Sequence, residues 1–261
     1  MRKLWPALAC ALVLTACTGE DPVLIDNDDG QSQRFDPNAA CENEATVVDN
    51  ASEPEEGVLT GDVDGDEKDD TVYLAPDSDG DAGCRSFLIV VAGDTTYSAP
   101  VDPSGSPRSL PEPSLHSVID FDFDPGSEVV VNLEAGASTQ FVGVFKLTDD
   151  GIERITIEGR GPGPFAQELG QDSLFPFGGS VGHVEAVDCI NPGLIVMSAA
   201  TPMGSSADRY EVERRFFRLE GTVLVLQPGS NEVHQVDALE LDPFPEFRSS
   251  PFGLCILNPT L

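Results

Sequence analysis

The chain has 261 residues, with 46 acids against 14 Lys and Arg, and a formal net charge of −32. So acidic a polymer repels phosphate at range, which excludes nucleic acid and bare anionic lipid as partners and favours cations. Part of this acidity serves solubility alone.

The N-terminus has three zones. Arg2 and Lys3 are basic, Leu4 to Leu14 form an apolar run, and Leu14-Thr15-Ala16-Cys17 closes it. The run is well short of the roughly 20 residues that span hydrocarbon, so it reads as the core of a signal peptide covering residues 1–16. The tetrapeptide resembles the lipobox of bacterial lipoproteins. That resemblance implies cleavage before Cys17, a diacylglyceryl group on its thiol, and attachment to the outer face of a membrane by acyl chains, of which two suffice for stable anchoring. An ordinary signal peptide with an incidental cysteine is the plainer alternative. Losing Arg2 and Lys3 takes the formal charge to −34. No later segment is long and apolar enough to cross a membrane, which places the mature chain outside the cytoplasm.

Residues 17–56 follow as a lipidated cysteine and a tether. From 18 to 56 there are twelve acids, one cation (Arg34) and few large apolar residues. Such a segment buries too little surface to offset its ordering entropy. Cys41 is the residue able to pin its last part to the fold. Beyond Cys17 four cysteines remain, Cys41, Cys84, Cys189 and Cys255, which in an oxidising compartment form two disulfides. Three pairings are open. Cys41–Cys84 with Cys189–Cys255 is favoured, since each pair then belongs to one half of the chain. No Cys-x-x-Cys pair points to a metal.

From 57 to 261 the pattern is that of strands: Thr71–Ala75, Phe87–Ala92, Glu128–Leu133, Phe141–Leu147, Ile152–Ile157, Leu194–Ser198, Tyr210–Leu219 and Thr222–Leu226. Val, Ile, Phe and Thr dominate these runs, and Gly, Pro, Asp and Ser bound them. Ala166–Leu169 and Asp237–Leu241 are at most single helical turns. There is also a repeat. Asp62 opens an Asp-rich turn, Asp120 opens another 58 residues on, and Asp188 a degenerate third 68 residues after that. A period near 60 predicts an all-β domain of three several-stranded, blade-sized units burying their faces against one another.

The sharpest motif is Asp62-Val63-Asp64-Gly65-Asp66-Glu67-Lys68-Asp69-Asp70. Carboxylates at turn positions one, three, five and nine can face one hard cation, and calcium takes six to eight oxygens. Asp62, Asp64, Asp66 and Asp70 are the side-chain candidates. Lys68 would offer its carbonyl while its side chain points to water. The second copy, Asp120-Phe121-Asp122-Phe123-Asp124-Pro125-Gly126-Ser127-Glu128, sets Asp120, Asp122, Asp124 and Glu128 at the same positions. A solvated acidic turn without metal is the alternative for both. Asp77-Ser78-Asp79-Gly80-Asp81 matches half of such a motif, but Arg85 stands where the closing acid is needed; a hairpin tip is the better reading.

These turns, each leading into a strand such as Asp70-Thr71-Val72-Tyr73-Leu74, resemble the FG-GAP/VCBS repeats of integrin-α-type β-propellers. The resemblance covers roughly residues 57–200 and implies structural calcium at the positions named. It has departures. Glu67 and Pro125 stand where the family has glycine, so the second turn is expected to be strained at Pro125. Asp188-Cys189-Ile190-Asn191-Pro192-Gly193 has lost its ligands. Three units are fewer than the four to eight blades of a closed propeller, leaving a partial propeller, a small sandwich, or a ring completed by a partner.

Catalytic patterns are weak. Gly178-Gly179-Ser180-Val181-Gly182 fits Gly-x-Ser-x-Gly, with His183 beside it, but a nucleophile elbow needs a strand before the serine and a helix after it. Here Val184–Val187 looks like a strand. Gly159-Arg160-Gly161-Pro162-Gly163-Pro164 lacks the lysine of a phosphate loop. His116, His183 and His234 are scattered. The reading is a non-catalytic, lipid-anchored binding module with structural calcium and an unknown envelope protein or glycan as ligand. An envelope hydrolase and an accessory subunit of an envelope complex are the rivals.

Overall fold

The structure, a computed structural model, describes residues 41–80, 84–101, 112–135, 138–158, 173–180, 182–191, 193–204, 208–241 and 244–257. All fall in one compact unit, Arg34–Leu261. Cys17, the signal peptide, Asp81, Ala166–Leu169 and the Gly159–Pro164 turn lie outside the described residues.

The described fold is all-β. The first sheet is a four-stranded antiparallel meander of β1 (Leu59–Gly61), β2 (Asp70–Pro76), β3 (Ser86–Ala92) and β4 (Thr95–Pro100). A second meander comprises β5 (Ser114–Ile119), β6 (Glu128–Ala135), β7 (Thr139–Thr148) and β8 (Gly151–Arg154), followed by the short β9 (Thr156–Glu158). A third comprises β11 (His183–Asn191), β12 (Leu194–Pro202), β13 (Arg209–Glu220) and β14 (Val223–Leu226), with β15 (Glu232–Asp237) pairing the start of β13.

The three units expected from the period do not stand as three separate sheets. β10 (Phe175–Ser180) pairs with both β7 and β11, which fuses the second and third meanders into one 11-stranded sheet. Glycines make this joint possible. Gly178 and Gly179 have φ of +85° and +148°, and a Cβ on Gly179 would lie 2.2 Å from the His183 carbonyl oxygen. The long sheet then curls back. Ile155, between β8 and β9, donates its N–H to Val144 of β7 (2.8 Å), and Thr156 donates to Thr222 at the edge of β14 (2.9 Å).

Period-two alternation sorts the side chains into layers. Val72, Leu88 and Val90 pack with Val129, Val131 and Phe145, joining the first sheet to the second meander. Val130, Val142 and Val144 point the other way, into a core shared with Ile195, Met197, Phe217 and Leu224. Burial of each large apolar side chain contributes about 1.5–3 kcal/mol. Arg154, 1 % exposed, donates to the Val101 carbonyl and lies 4.9 Å over the Phe145 ring, stitching β8 to the end of the first sheet.

Both ends of this stack carry a short helix. Residues 41–50 belong to the stretch read from sequence as tether, yet Cys41 is buried and helix α1 (Glu44–Asn50) lays Val47 and Val48 on Tyr73, Phe87 and Ile89. At the other end, α2 (Gly253–Leu257) follows Phe252, which stacks 4.6 Å from Phe121 and meets Phe175 edge-on at 5.7 Å. A disulfide fastens each end, Cys41–Cys84 and Cys189–Cys255, the pairing favoured from the sequence. Two disulfides mark a chain suited to an oxidising, extracytoplasmic compartment. Among the described residues no helix is long and apolar enough to cross a membrane.

Candidate functional site

The first two Asp-rich turns share one backbone design. The acid at position one accepts from the N–H at position four: Gly65 to Asp62 at 2.8 Å, Phe123 to Asp120 at 2.7 Å. The acid at position three accepts from position five: Asp66 to Asp64 at 3.0 Å, Asp124 to Asp122 at 3.1 Å. The closing acid reaches back to position two: Val63 to Asp70 at 2.8 Å, Phe121 to Glu128 at 3.0 Å. The same register sets both, since Gly61 faces Asp70 and Ile119 faces Glu128.

Two three-carboxylate groups result, Asp62 with Asp64 and Asp70, and Asp120 with Asp122 and Glu128. In each, one oxygen per residue lies within 4.8 Å of the others, so either group can hold a metal ion. The fifth-position acids are not part of them. Asp66 is drawn outward to the Lys68 ammonium, which holds its carboxyl below the usual range, and Asp124 is exposed. Lys68 has its side chain in solvent, 77 % exposed, as expected. Burial raises the carboxyls of Asp70 and Asp120, and pushes Glu128, fully buried, up to about 7.

The two turns differ in what faces the acids. In the first, no cationic side chain among the described residues lies within ion-pair distance of Asp62, Asp64 or Asp70. In the second, Lys146 of β7 places Nζ 2.6 Å from Asp122 Oδ2 and 3.0 Å from Glu128 Oε1. Burial alone would lower that amine, but its hydrogen bonds and charge contacts with Asp122 and Glu128 outweigh burial and raise it. Strain is distributed differently too. Position four is Gly65 (φ +78°) in the first turn and Phe123 (φ +64°) in the second, so the left-handed residue there is the 47 % exposed phenylalanine, not Pro125. In the first turn Glu67 also has φ +66°.

The third turn has collapsed. β11 and β12 continue pairing to Asn191 and Leu194, so the long irregular backbone of the first two turns is missing here. Val187 faces Met197, so a core methionine stands where the closing acid would be. Asp188 is fully buried and takes protein donors: Cys189 N–H at 2.9 Å, Leu254 N–H at 2.8 Å and the Ser249 hydroxyl. Burial still pushes its carboxyl up to about 6, against these bonds.

The turns are also joined in series. Ser127 N–H donates to Asp62 O (2.7 Å), Gly193 N–H to Phe121 O (2.9 Å), and Phe252 N–H to Val187 O (3.1 Å). A Cβ on Gly65 would lie 2.8 Å from Pro125 Cβ, and one on Gly126 would lie 2.7 Å from the Val63 carbonyl oxygen. The second turn, the third turn and the segment before α2 thus each donate a backbone N–H to a carbonyl in or beside the preceding turn.

Other sequence candidates find ordinary roles. Asp77 sits in the β2–β3 hairpin, accepting from Asn43 (2.6 Å) and Asp79 N–H (3.1 Å). Ser180 ends β10, which turns straight into β11, and its hydroxyl oxygen accepts from Gly182 N–H. The arrangement is strand–turn–strand. His183 bonds Thr139 at 2.7 Å, and His234 lies 3.2 Å from Glu232. Sequence reasoning missed Lys146, Met197 and Ser249 as partners of the turns. The one visible signal was Lys146, the sole lysine after residue 68, set within the apolar run Phe141–Leu147.

Fold and site together define an all-β, disulfide-bonded protein with paired acidic turns. No protein-family model and no curated protein matches the chain. A solved structure described as "Structure of a Xanthomonas Type IV Secretion System related protein" is similar at 13 % identity and a TM-score of 0.21, over 72 % of this chain and 96 % of that one; a score this low carries no argument about function.

Proposed function

We propose that the chain is a lipid-anchored, extracytoplasmic binding module rather than an enzyme, carrying a structural calcium ion in its first acidic turn and displaying its β-domain to an envelope protein or glycan. The observation that carries the metal part is the first turn. Three carboxylates converge there with no cationic side chain of the described residues within ion-pair distance, and Asp70 among them is buried. Carboxylates gathered without a close counter-charge repel one another, which a bound cation would offset. Hard carboxylate oxygens suit calcium. Asp62, Asp64 and Asp70 would hold the ion, with the Lys68 carbonyl as a further donor.

The three stacked meanders, joined turn to turn, support the reading of FG-GAP/VCBS-like blades in a partial propeller. The lipid on Cys17 rests on the Leu-Thr-Ala-Cys sequence, and the two disulfides agree with it. The non-catalytic reading is supported by the setting of Ser180 between two paired strands and by the hydrogen bonds of His183 to Thr139 and His234 to Glu232.

The test is thermal unfolding of the mature domain in calcium and in chelator. At tenfold excess over the dissociation constant the ion stabilises the fold by about 1.4 kcal/mol, which is a rise of roughly 3–6 °C. Asp64→Asn removes the response and Asp79→Asn keeps it. A melting temperature unchanged across millimolar calcium overturns the metal assignment, and a Cys17→Ser chain that stays membrane-bound overturns the anchor.

A further inference from the structure

We propose that Lys146 is the resident cation of the second acidic turn, so that the second turn closes on the protein's own ammonium group and a divalent ion enters the first turn alone. The part concerning the first turn rests on the calcium reading above.

Strand register places the lysine at the turn. Continuing the ladder Val129–Phe145 by one step puts Glu128 opposite Lys146. Continuing Thr71–Val91 by one step puts the equivalent Asp70 opposite Ala92. In the third meander Met197 faces Arg215, and that guanidinium bonds Glu213. At one structural position, then, the acid of the first turn faces a methyl group, the acid of the second faces an ammonium, and the third has a cation but no acid.

Directly opposed residues of antiparallel strands have neighbouring side chains, so the lysine reaches the turn from a rigid ladder rather than a loop. Its side chain is 15 % exposed, against 10 % for Asp122 and none for Glu128. Charge-assisted bonds at 2.6 and 3.0 Å, largely screened from water, are strong. The ammonium is tethered, so no dissolved ion has to be captured. A divalent ion could use Asp122 and Glu128 only by expelling Lys146 and leaving its charge beside its own.

Lysine acetylation mapped by mass spectrometry tests this directly. The chain has three lysines, and Lys68, 77 % exposed, serves as the internal reference. Lys146 should react roughly tenfold more slowly than Lys68, because its ammonium must first leave two carboxylates. That protection should persist in millimolar calcium. Asp122→Asn should raise the Lys146 rate, whereas Asp64→Asn should leave it unchanged. Calorimetry should count one ion per wild-type chain, one for Asp122→Asn and none for Asp64→Asn. Lys146 reacting as fast as Lys68, calcium unmasking Lys146, or a second ion lost in Asp122→Asn would each overturn the proposal. If the wild-type chain binds no ion at all, the calcium reading of the first turn fails, while calcium-independent protection of Lys146 still supports its role.

Discussion

Asp62 and Asp188 head equivalent turns in the first and third meanders, and their surroundings are opposite. Asp62 is partly exposed, with two more carboxylates close by, and its turn is eight residues of irregular backbone before β2. Asp188 is fully buried, and the strands around it pair almost to the tip. Set side by side, the two turns show how a repeat loses a ligand site. Shortening the turn, with Ile190 at position three and Met197 at the closing position, removes both other carboxylates, and Asp188 is then within reach of ordinary protein donors. The second turn stands between the two, keeping its acids and adding Lys146.

Freeing the segment that serves Asp188 should have the largest effect. Cys189→Ala with Cys255→Ala removes a crosslink across 66 residues, which by loop entropy costs about 4 kcal/mol. Guanidinium denaturation should show that loss while the calcium response of the first turn survives. A loss below about 1 kcal/mol would mean that packing of Phe252 holds the segment by itself.

Titration of Asp188 gives the next effect. Its folded-state carboxyl is raised to about 6, mainly by burial and in part by Glu246, above the ordinary carboxylate value of the unfolded chain. The folded state therefore keeps a proton that the unfolded state releases. The stability that this proton contributes is fully present below about pH 4 and is lost as pH rises through about 6, by on the order of 2–3 kcal/mol. Asp188→Asn cannot ionise, so its stability relative to wild type should improve over that window. Parallel pH profiles of the two melts check this, and identical slopes would refute it.

The smallest effect separates the first turn from the second at position four. Phe123→Gly relieves a bulky left-handed residue and should stabilise by about 1 kcal/mol. Gly65→Ala should do the reverse, since its Cβ meets Pro125. Chemical denaturation of both variants reads the signs.

Much of this was legible in the residues. Six of the eight runs predicted as strand lie wholly within one strand, and Thr222–Leu226 loses only Thr222 to a turn, because the 2.0 period and its turn residues are local signals. Ile152–Ile157 is one run in sequence and two strands in space, since Ile155 leaves β8 to let β9 join β14. The first-position, third-position and closing acids converge as their spacing implied, whereas Asp66 found a nearer partner in Lys68. Helix α1 was hidden because seven residues without a side-chain cap carry little propensity; Val47, Val48 and the Cys41 bridge hold it. The role of Lys146 was hidden because Asp122 is 24 residues away and strand register decides whether they meet.

The Cys41–Cys84 bridge has a mechanical consequence. A pull arriving from the N-terminal side reaches Cys41 and passes through the covalent bond to Cys84, two residues before β3, bypassing the three-residue β1. Because β3 is laddered on both sides, by β2 and β4, traction is shared between two rows of hydrogen bonds. Peeling the domain from that end therefore stops at the sulfur bridge until reductant or much greater force intervenes.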